Sequence, residues 1–450
     1  MSGLQAGFFE VDITPRVGVG LCGFGPFLNR MSIAVRDPLK ARAAAFELHG
    51  QKVVIVSCDL IGLTREIVEV VKQSVGEHAG LNPDQVMLHC THAHSGPNTG
   101  GYVGWGTIDE PYLAILPGRI AQACYGALDR LHPATFAHAV QPCEGIGLNR
   151  EQDRDAPPLD QCLRDDWRPA KPELTDTHCH VLALRDAASG ALDGWMSYFG
   201  CHPVVCCAST RYLHGDFAGV ATNLLERENP GAVGLFLQGA QGDVNSCVVH
   251  KPEQESLLAL DVVAARFANA VRAGLRAAAP QTVDTLRCAG FLQPFASRLL
   301  EPERLRAMIA EQEAIVHAPG AADGDRAVRM AVVLLCTLRD LAARLERGED
   351  LATQTGEIQG IRLGPVALLG APFEVMQAIK NEVAAAAQSP IPLVMGLTNG
   401  SMGYAPDRAV AARGGYAADT GPIINGRMPF LRIHDELVAA LLEADRRLQT

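Results

Sequence analysis

Lys52-Val53-Val54-Ile55-Val56-Ser57-Cys58 is a short, nearly continuous apolar run that stops at Asp59. A run of this length with little alternation reads as a strand buried on both faces. Downstream, residues 66–77 (EIVEVVKQSVGE) place apolar side chains at helical spacing. Residues 85–89 (QVMLH) read as a second strand, and 112–131 as a long amphipathic helix. This β-α-β-α order predicts an α/β fold, a layered mixed-sheet core flanked by helices.

The same periodicities extend along the chain. Residues 147–172, polar and rich in Asp, Arg and Pro, predict a long functional loop. Strands are expected at 177–184 and 191–199, joined through a turn at 187–190, then a helix at 217–227 and a buried strand at 233–237. Helical spacing returns at 258–278 and about 301–347, the latter broken near 319–324. It predicts a packing insert over 295–350 within a single catalytic domain covering 1–450. Apolar strands follow at 360–369 and 392–396, and a last helix at 432–447.

Composition removes several function classes. With 48% hydrophobic and 20% charged residues in 450, the chain is neither disordered nor fibrous and needs no disulfide or metal merely to fold. Lys plus Arg is 39 against 50 for Asp plus Glu, a formal charge of -11, which argues against nucleic-acid or anionic-membrane partners. No uncharged apolar run approaches the roughly 18–20 residues that span a bilayer, so no membrane insertion is expected. The opening MSGLQAGFFEVDITP lacks the basic and apolar segments of a secretory signal. Thirteen irregularly spaced cysteines without a CxxC pair predict reduced thiols in a cytoplasmic protein.

The densest chemistry is His89-Cys90-Thr91-His92-Ala93-His94-Ser95-Gly96-Pro97, where a strand runs into a Gly-containing loop. If the strand continues through Thr91, the period of two puts His92 and His94 on one side, and paired imidazoles there suit a metal such as zinc. A second HxH, His178-Cys179-His180, lies inside a predicted strand and reads as its polar face. His202-Pro203 ends another strand, and His214-Gly215-Asp216 opens a helix in which Asp216 is a natural cap. Gln238 to Ser246 (QGAQGDVNS) leaves a strand through a Gly-punctuated turn able to bring backbone N–H groups near a ligand. Gly18-Val19-Gly20-Leu21-Cys22-Gly23 matches dinucleotide-binding spacing, but no helix opens behind it, so no nucleotide cofactor is expected.

Taken in order, these pieces resemble the catalytic domain of the neutral (alkaline, non-lysosomal) ceramidase family. The resemblance runs from Glu10-Val11-Asp12-Ile13-Thr14-Pro15 through Thr91–Pro97, Asn149-Arg150, His202-Pro203 and Gly242-Asp243-Val244 to Ala371-Pro372-Phe373-Glu374 and Gly403-Tyr404. It implies one catalytic zinc per chain, held by His92, His202, Glu374 and Tyr404. It implies His94 as a neighbour that moves protons, and Arg150 and Tyr416 as groups that bind a developing oxyanion. The family pattern reads Gly-Asp-Val-Ser-Pro, whereas this chain has Gly242-Asp243-Val244-Asn245-Ser246. Asn245 cannot be a hydroxyl nucleophile, and Ser246 is displaced by one position. A zinc-bound hydroxide is then the expected attacking group, with Asn245 donating a hydrogen bond to substrate.

The signal sequence and C-terminal β-sandwich of the longer ceramidases are not expected here, which favours a soluble amide, ester or lactone over a membrane sphingolipid. Arg150, Arg211 and Arg413, in loops near the expected site, raise a carboxylate-bearing substrate. The resulting reading is a zinc-dependent hydrolase cleaving an acyl C–N or C–O bond of a small molecule. Two alternatives stand beside it: a dinuclear amidohydrolase using both HxH pairs, and a non-catalytic zinc-containing protein that binds a carboxylate.

Overall fold

In the computed structural model, which describes residues 3–153 and 157–450, two sheets stack face to face and helices cover both outer faces. The larger sheet runs, neighbour to neighbour, Val233–Gln238, Leu192–Phe199, His178–Asp186, His132–Pro142, Gln5–Asp12, Lys40–Leu48, Gln51–Cys58, Val86–Cys90. The short strand Ala279–Gln281 joins it beside His132–Pro142. Val233–Gln238 pairs parallel with Leu192–Phe199, and Gln51–Cys58 parallel with Val86–Cys90, while the other pairs are antiparallel. The smaller sheet runs Leu286–Ala296, Thr353–Leu363, Val366–Gly370, Ile391–Met395, its last pair parallel.

Side-chain alternation explains the layering. Ala41, Ala43, Ala45, Val54, Val56 and Cys58 pack with Val68, Val71 and Val75 of the helix Arg65–Ala79 and Leu116 and Ile120 of Glu110–Leu128. Their neighbours Ala44, Phe46, Val53 and Ile55 face the other way, against Ile361, Leu368, Leu393 and Met395 of the smaller sheet. A strand enclosed on both sides has no polar face, which is why 52–58 reads as one apolar run. The helices Gln377–Ala386 and Ile433–Arg447 cover the far face of the smaller sheet. Near the other end of the larger sheet, Phe217, Phe236 and Phe267 interlock at edge-to-face geometry with centroids 5.3–6.0 Å apart.

Several local expectations change. Gln5–Asp12, Lys40–Leu48, His132–Pro142 and Leu286–Ala296 are strands that local periodicity does not announce; Lys40–Leu48 (KARAAAFEL) is alanine-rich, and alanine is the best helix former. The 360–369 segment is two antiparallel strands, Thr353–Leu363 and Val366–Gly370, turning at Gly364 with φ 57°. The 147–172 stretch contains a strand, Gly147–Asn149, paired with Val244–Ser246, and a helical turn Leu159–Cys162. Residues 154–156 of that stretch lie outside the described residues. The helices Pro302–Val316 and Arg326–Glu346 connect two strands that pair along their full length, and Leu305 and Leu338 of these helices pack on Ile423.

Candidate active site

The C-terminal ends of the parallel strands supply the site. Val86–Cys90 leads to His92 and His94, Leu192–Phe199 to His202, and Val233–Gln238 to the turn before Asn245. In the smaller sheet, Val366–Gly370 leads to Glu374 and Ile391–Met395 to Tyr404. Ligand-binding crevices in α/β proteins form at such strand ends, where loops are free to converge over a rigid frame. Glu374 and Tyr404 are register partners in a two-residue parallel pairing, which sets them side by side.

His92 and His94 do converge, but not through strand alternation. The strand ends at Cys90, and His92 sits at φ 71°, a left-handed conformation that costs a non-glycine residue free energy. The His92 N–H donates to Leu60 O at 2.9 Å and its Nδ1 lies 2.6 Å from Ile61 O, holding the turn in place. The ring centroids of His92 and His94 are 4.7 Å apart, and those of His92 and His202 4.9 Å. The donor atoms of His92, His94 and His202 all lie within 4.8 Å of one another.

The hydrogen bonds decide which nitrogens face inward. His92 Nδ1 points to Ile61 O, and His202 Nδ1 lies 2.5 Å from Gln241 O and 3.2 Å from Val244 O. A ring nitrogen facing carbonyls carries the proton, so in the neutral rings each Nε2 presents a lone pair. Glu374 Oε2 lies 2.9 Å from His202 Nε2 and 3.4 Å from His92 Nε2. Burial, with the Arg150 charge nearby, pushes the His202 pKa down to about 4, so that ring is neutral at pH 7. Burial opposes ionisation of Glu374, and His92 and His202 favour its carboxylate only while their rings are protonated and donate to it. With both rings neutral and protonated on Nδ1, two imidazole lone pairs and a carboxylate face one another. That donor set fits a cation, and its nitrogen–oxygen chemistry suits zinc.

Around this centre the remaining residues form a contiguous wall. His94 is half-buried, yet both its ring nitrogens are sealed from solvent without a hydrogen-bond partner. Burial and the neighbouring His92 and His202 keep its pKa well below the usual histidine value. Arg150 donates from Nη2 to Gly242 O at 2.6 Å and from Nη1 to Asn245 Oδ1 at 3.4 Å. Its guanidinium sits 5.1 Å from the Tyr404 ring centroid, and the Tyr416 ring is 5.7 Å from that of Tyr404. Burial disfavours the Arg150 charge, but Tyr404 and Glu374 outweigh it and raise the pKa, so the group stays cationic. Tyr416 opens a short π-helical turn and is 51% exposed, at the rim.

Ser246 is aimed away from Asn245, as neighbours in a strand must be. It is fully buried, its hydroxyl donating to His202 O at 3.0 Å and accepting from Val204 N at 3.4 Å. Asp243, between the Arg150 and Glu374 segments, accepts from Asn149 Nδ2 at 3.0 Å and Gln377 N at 2.9 Å, and its own carbonyl accepts from Arg150 N at 2.8 Å.

The remaining candidates are engaged otherwise, and the second HxH is the polar face its strand position predicts. His178 is exposed beside Thr177, and His180 stacks on His138 with Nδ1 3.2 Å from His138 Nε2; neither joins a group of three metal-compatible side chains among the described residues. Arg413 is paired with Glu151, and Arg211 is exposed beside the strand Tyr212–Leu213. Cys206, His214 and Asp216 do form a second buried group. There the Asp216 carboxylate accepts backbone N–H bonds from Val205, Cys206 and Phe217, and its own N–H donates to His214 Nδ1 at 3.0 Å, so the group staples the loop after His202.

Three neighbours of His94 carry no local signature. Phe24 meets its ring edge-on at 5.4 Å, and buried Arg30 donates from Nη1 to His94 O at 3.1 Å. Gly23, at φ 113°, has no room for a side chain: a Cβ would lie 2.7 Å from His94 Cβ. The glycines at 18–23 thus include one that lets this loop approach the site closely, which is the signal that spacing alone concealed.

A family model described as neutral/alkaline non-lysosomal ceramidase, N-terminal, matches residues 4–259, more than half of the 450-residue chain. Solved structures of similar fold include the neutral ceramidase from Pseudomonas aeruginosa, 19% identical over 99% of this chain and 75% of that one, with a TM-score of 0.73. A ceramidase complexed with C2 is 19% identical over 99% of this chain and 76% of that one, with a TM-score of 0.72. A comparison with curated proteins found no match. With its motifs in order along the chain, its fold reproduced and its family model matched, the chain belongs to the neutral/alkaline non-lysosomal ceramidase family, a family of amide hydrolases.

Proposed function

We propose that this protein is a zinc-dependent hydrolase that cleaves an amide, or an ester or lactone, of a soluble small molecule. The observation that carries the reading is the convergence of His92 Nε2 and His202 Nε2 on Glu374 Oε2, at 3.4 and 2.9 Å. His92, His202, Glu374 and Tyr404 would hold one zinc. When bound, zinc supplies a Lewis acid that polarises the scissile carbonyl and acidifies water.

The chain's own residues do the rest. The Arg150 guanidinium, held by Gly242 O and the Tyr404 ring, and the Tyr416 hydroxyl at the rim stabilise the negative charge that develops on the carbonyl oxygen. His94, with both ring nitrogens unpartnered, takes up a proton and returns one to the leaving amine. The Asn245 amide donates to the substrate while its oxygen accepts from Arg150. A cleft lined by Phe27, Met31, Val103 and Ile108, with Arg30 bridging it to His94, supports an apolar acyl group. Arg413, already paired with Glu151, gives less support to a carboxylate on the substrate.

The thirteen cysteines are all free thiols, which supports a cytoplasmic setting. No helix among the described residues is long and apolar enough to cross a membrane. The test is metal content by mass spectrometry on folded wild type and Glu374→Ala. About one zinc per wild-type chain, and far less in the variant, is expected. A wild type that holds no zinc even after zinc is added overturns the ligand assignment. The amide at Asn245, where the family pattern has a hydroxyl, favours one other reading: a carboxylate-binding protein, which tight binding without turnover across amide, ester and lactone panels would establish.

A further inference from the structure

A cavity of about 250 Å³ opens beside the N-terminal turn of the helix Arg65–Ala79, and none of the eight site residues above lines it. Its walls include Tyr102, Ser401, Glu357 and Arg427. Most charges in the wall have partners. Arg65 pairs with Glu69 at 2.7 Å, and Glu357 accepts from Lys72 at 2.5 Å and from Asn399 at 3.1 Å. Glu66 is exposed and anchored by Thr64 at the start of the helix.

Arg427 is different. Among the described residues its half-buried side chain makes no ion pair and no hydrogen bond. Burial pushes its pKa down, and the neighbouring Arg344, itself paired with Glu349 at 2.6 Å, adds like-charge repulsion. Glu66 offsets part of this from a distance, but a desolvated cation with no carboxylate in contact is costly, and proteins keep such groups where something supplies a direct partner. Two further features point the same way. The cavity faces the positive end of a 15-residue helix, and the Tyr102 hydroxyl, 2.9 Å from Ser401 Oγ, offers a donor.

We propose that this cavity binds the carboxylate of a small monocarboxylic acid, with the Arg427 guanidinium as its main partner. A monoanion is favoured because Glu66 lies near Arg427, the one cation of the wall without an ion pair among the described residues, and a dianion would meet that carboxylate. The volume suits a molecule smaller than the drug-sized ligands that fill pockets of roughly 300–1,000 Å³. An occupant would touch Gly62, Pro372 and Met402, close in sequence to Ile61, Glu374 and Tyr404, but the proposal does not depend on the hydrolase reading.

The test is calorimetric titration and thermal unfolding of the full chain with sodium butyrate, against sodium chloride and inorganic phosphate at matched ionic strength. A saturable rise in melting temperature with butyrate alone is expected. In R427Q the affinity should fall at least about tenfold, the loss of one charge-assisted hydrogen bond, with R427K between the two. Without butyrate, R427Q should unfold at the same temperature as wild type or higher, because it removes an unpaired charge. No saturable response in wild type, an equal response to phosphate, or an undiminished response in R427Q overturns the proposal. So does an R427Q protein that is destabilised or unfolded, since Arg427 would then serve the fold.

Discussion

Two adjacent substitutions separate catalysis from scaffolding: Ser246→Ala and Asn245→Ala. Ser246 is fully buried, and its hydroxyl donates to His202 O at 3.0 Å while Val204 N donates to it at 3.4 Å. Val204 N also reaches His202 O at 2.9 Å, so alanine removes little more than one net hydrogen bond. That costs about 1 kcal/mol, a fall in melting temperature of about 2–4 °C at most for a chain this long. Turnover should stay within about twofold of wild type, a barrier change under about 0.5 kcal/mol.

Asn245 behaves in the opposite way. It is half-buried, and its contact with Arg150 at 3.4 Å is long, so Asn245→Ala should change stability by less than about 0.5 kcal/mol. Arg150 keeps its bond to Gly242 O, so the loss falls on the amide's own contact with substrate, about tenfold in kcat/KM. The assay is initial rate on whichever amide of a panel the wild type cleaves, with zinc per chain and melting temperature recorded for each variant. A Ser246→Ala protein that keeps its zinc and its melting temperature yet loses turnover would refute the reasoning. The Ser246 hydroxyl would then be the nucleophile.

Arg42 is buried with Nη1 2.7 Å from Asp59 Oδ2 and Nε 2.8 Å from Glu226 Oε1; Arg42→Ala strands the Asp59 carboxylate, while Glu226 keeps Lys40, and should cost about 3–5 kcal/mol by urea unfolding, and a loss below about 1 kcal/mol would show that water reaches Asp59. His89 accepts from Gln238 N at 2.7 Å, and burial lowers its pKa from 6.5 to about 3. The unfolded chain therefore binds the proton first, and its contribution to stability is lost as pH falls from about 6.5 towards 3, at about 1.4 kcal/mol per pH unit. Gln at position 89 can still accept from Gln238 without titrating, so between pH 7 and 5 the wild type should lose about 2 kcal/mol relative to His89→Gln; parallel pH profiles in urea would contradict the shift.

The stretch 52–58 and the strands after it were legible because enclosure on both faces leaves an unbroken apolar run. Lys40–Leu48 is enclosed in the same way but filled largely with alanine, whose small side chain packs equally well in a helix, so its state depends on the sheet beside it. His92 and His94 were visible as a pair, while the reason for their convergence was not. A strand period suggested it, and a left-handed turn tied to Leu60 and Ile61 produces it.

The linear sequence determined the chemistry on offer: which residues carry imidazole, carboxylate or phenol, their order, and the amide at 245. Those are properties of single residues and short motifs, written locally. The tertiary structure decided what they face. The proton positions on His92 and His202 follow from the carbonyls of Ile61 and Gln241, each more than thirty residues away. Ser246 turns inward because the strand pleat places it under His202, and Arg427 makes no ion pair among the described residues because Glu69 and Glu357 pair elsewhere and Glu66 stays out of contact. Charge, tautomer and aim depend on distances across a few ångströms of packed protein, and those distances are set only when remote strands and loops come together.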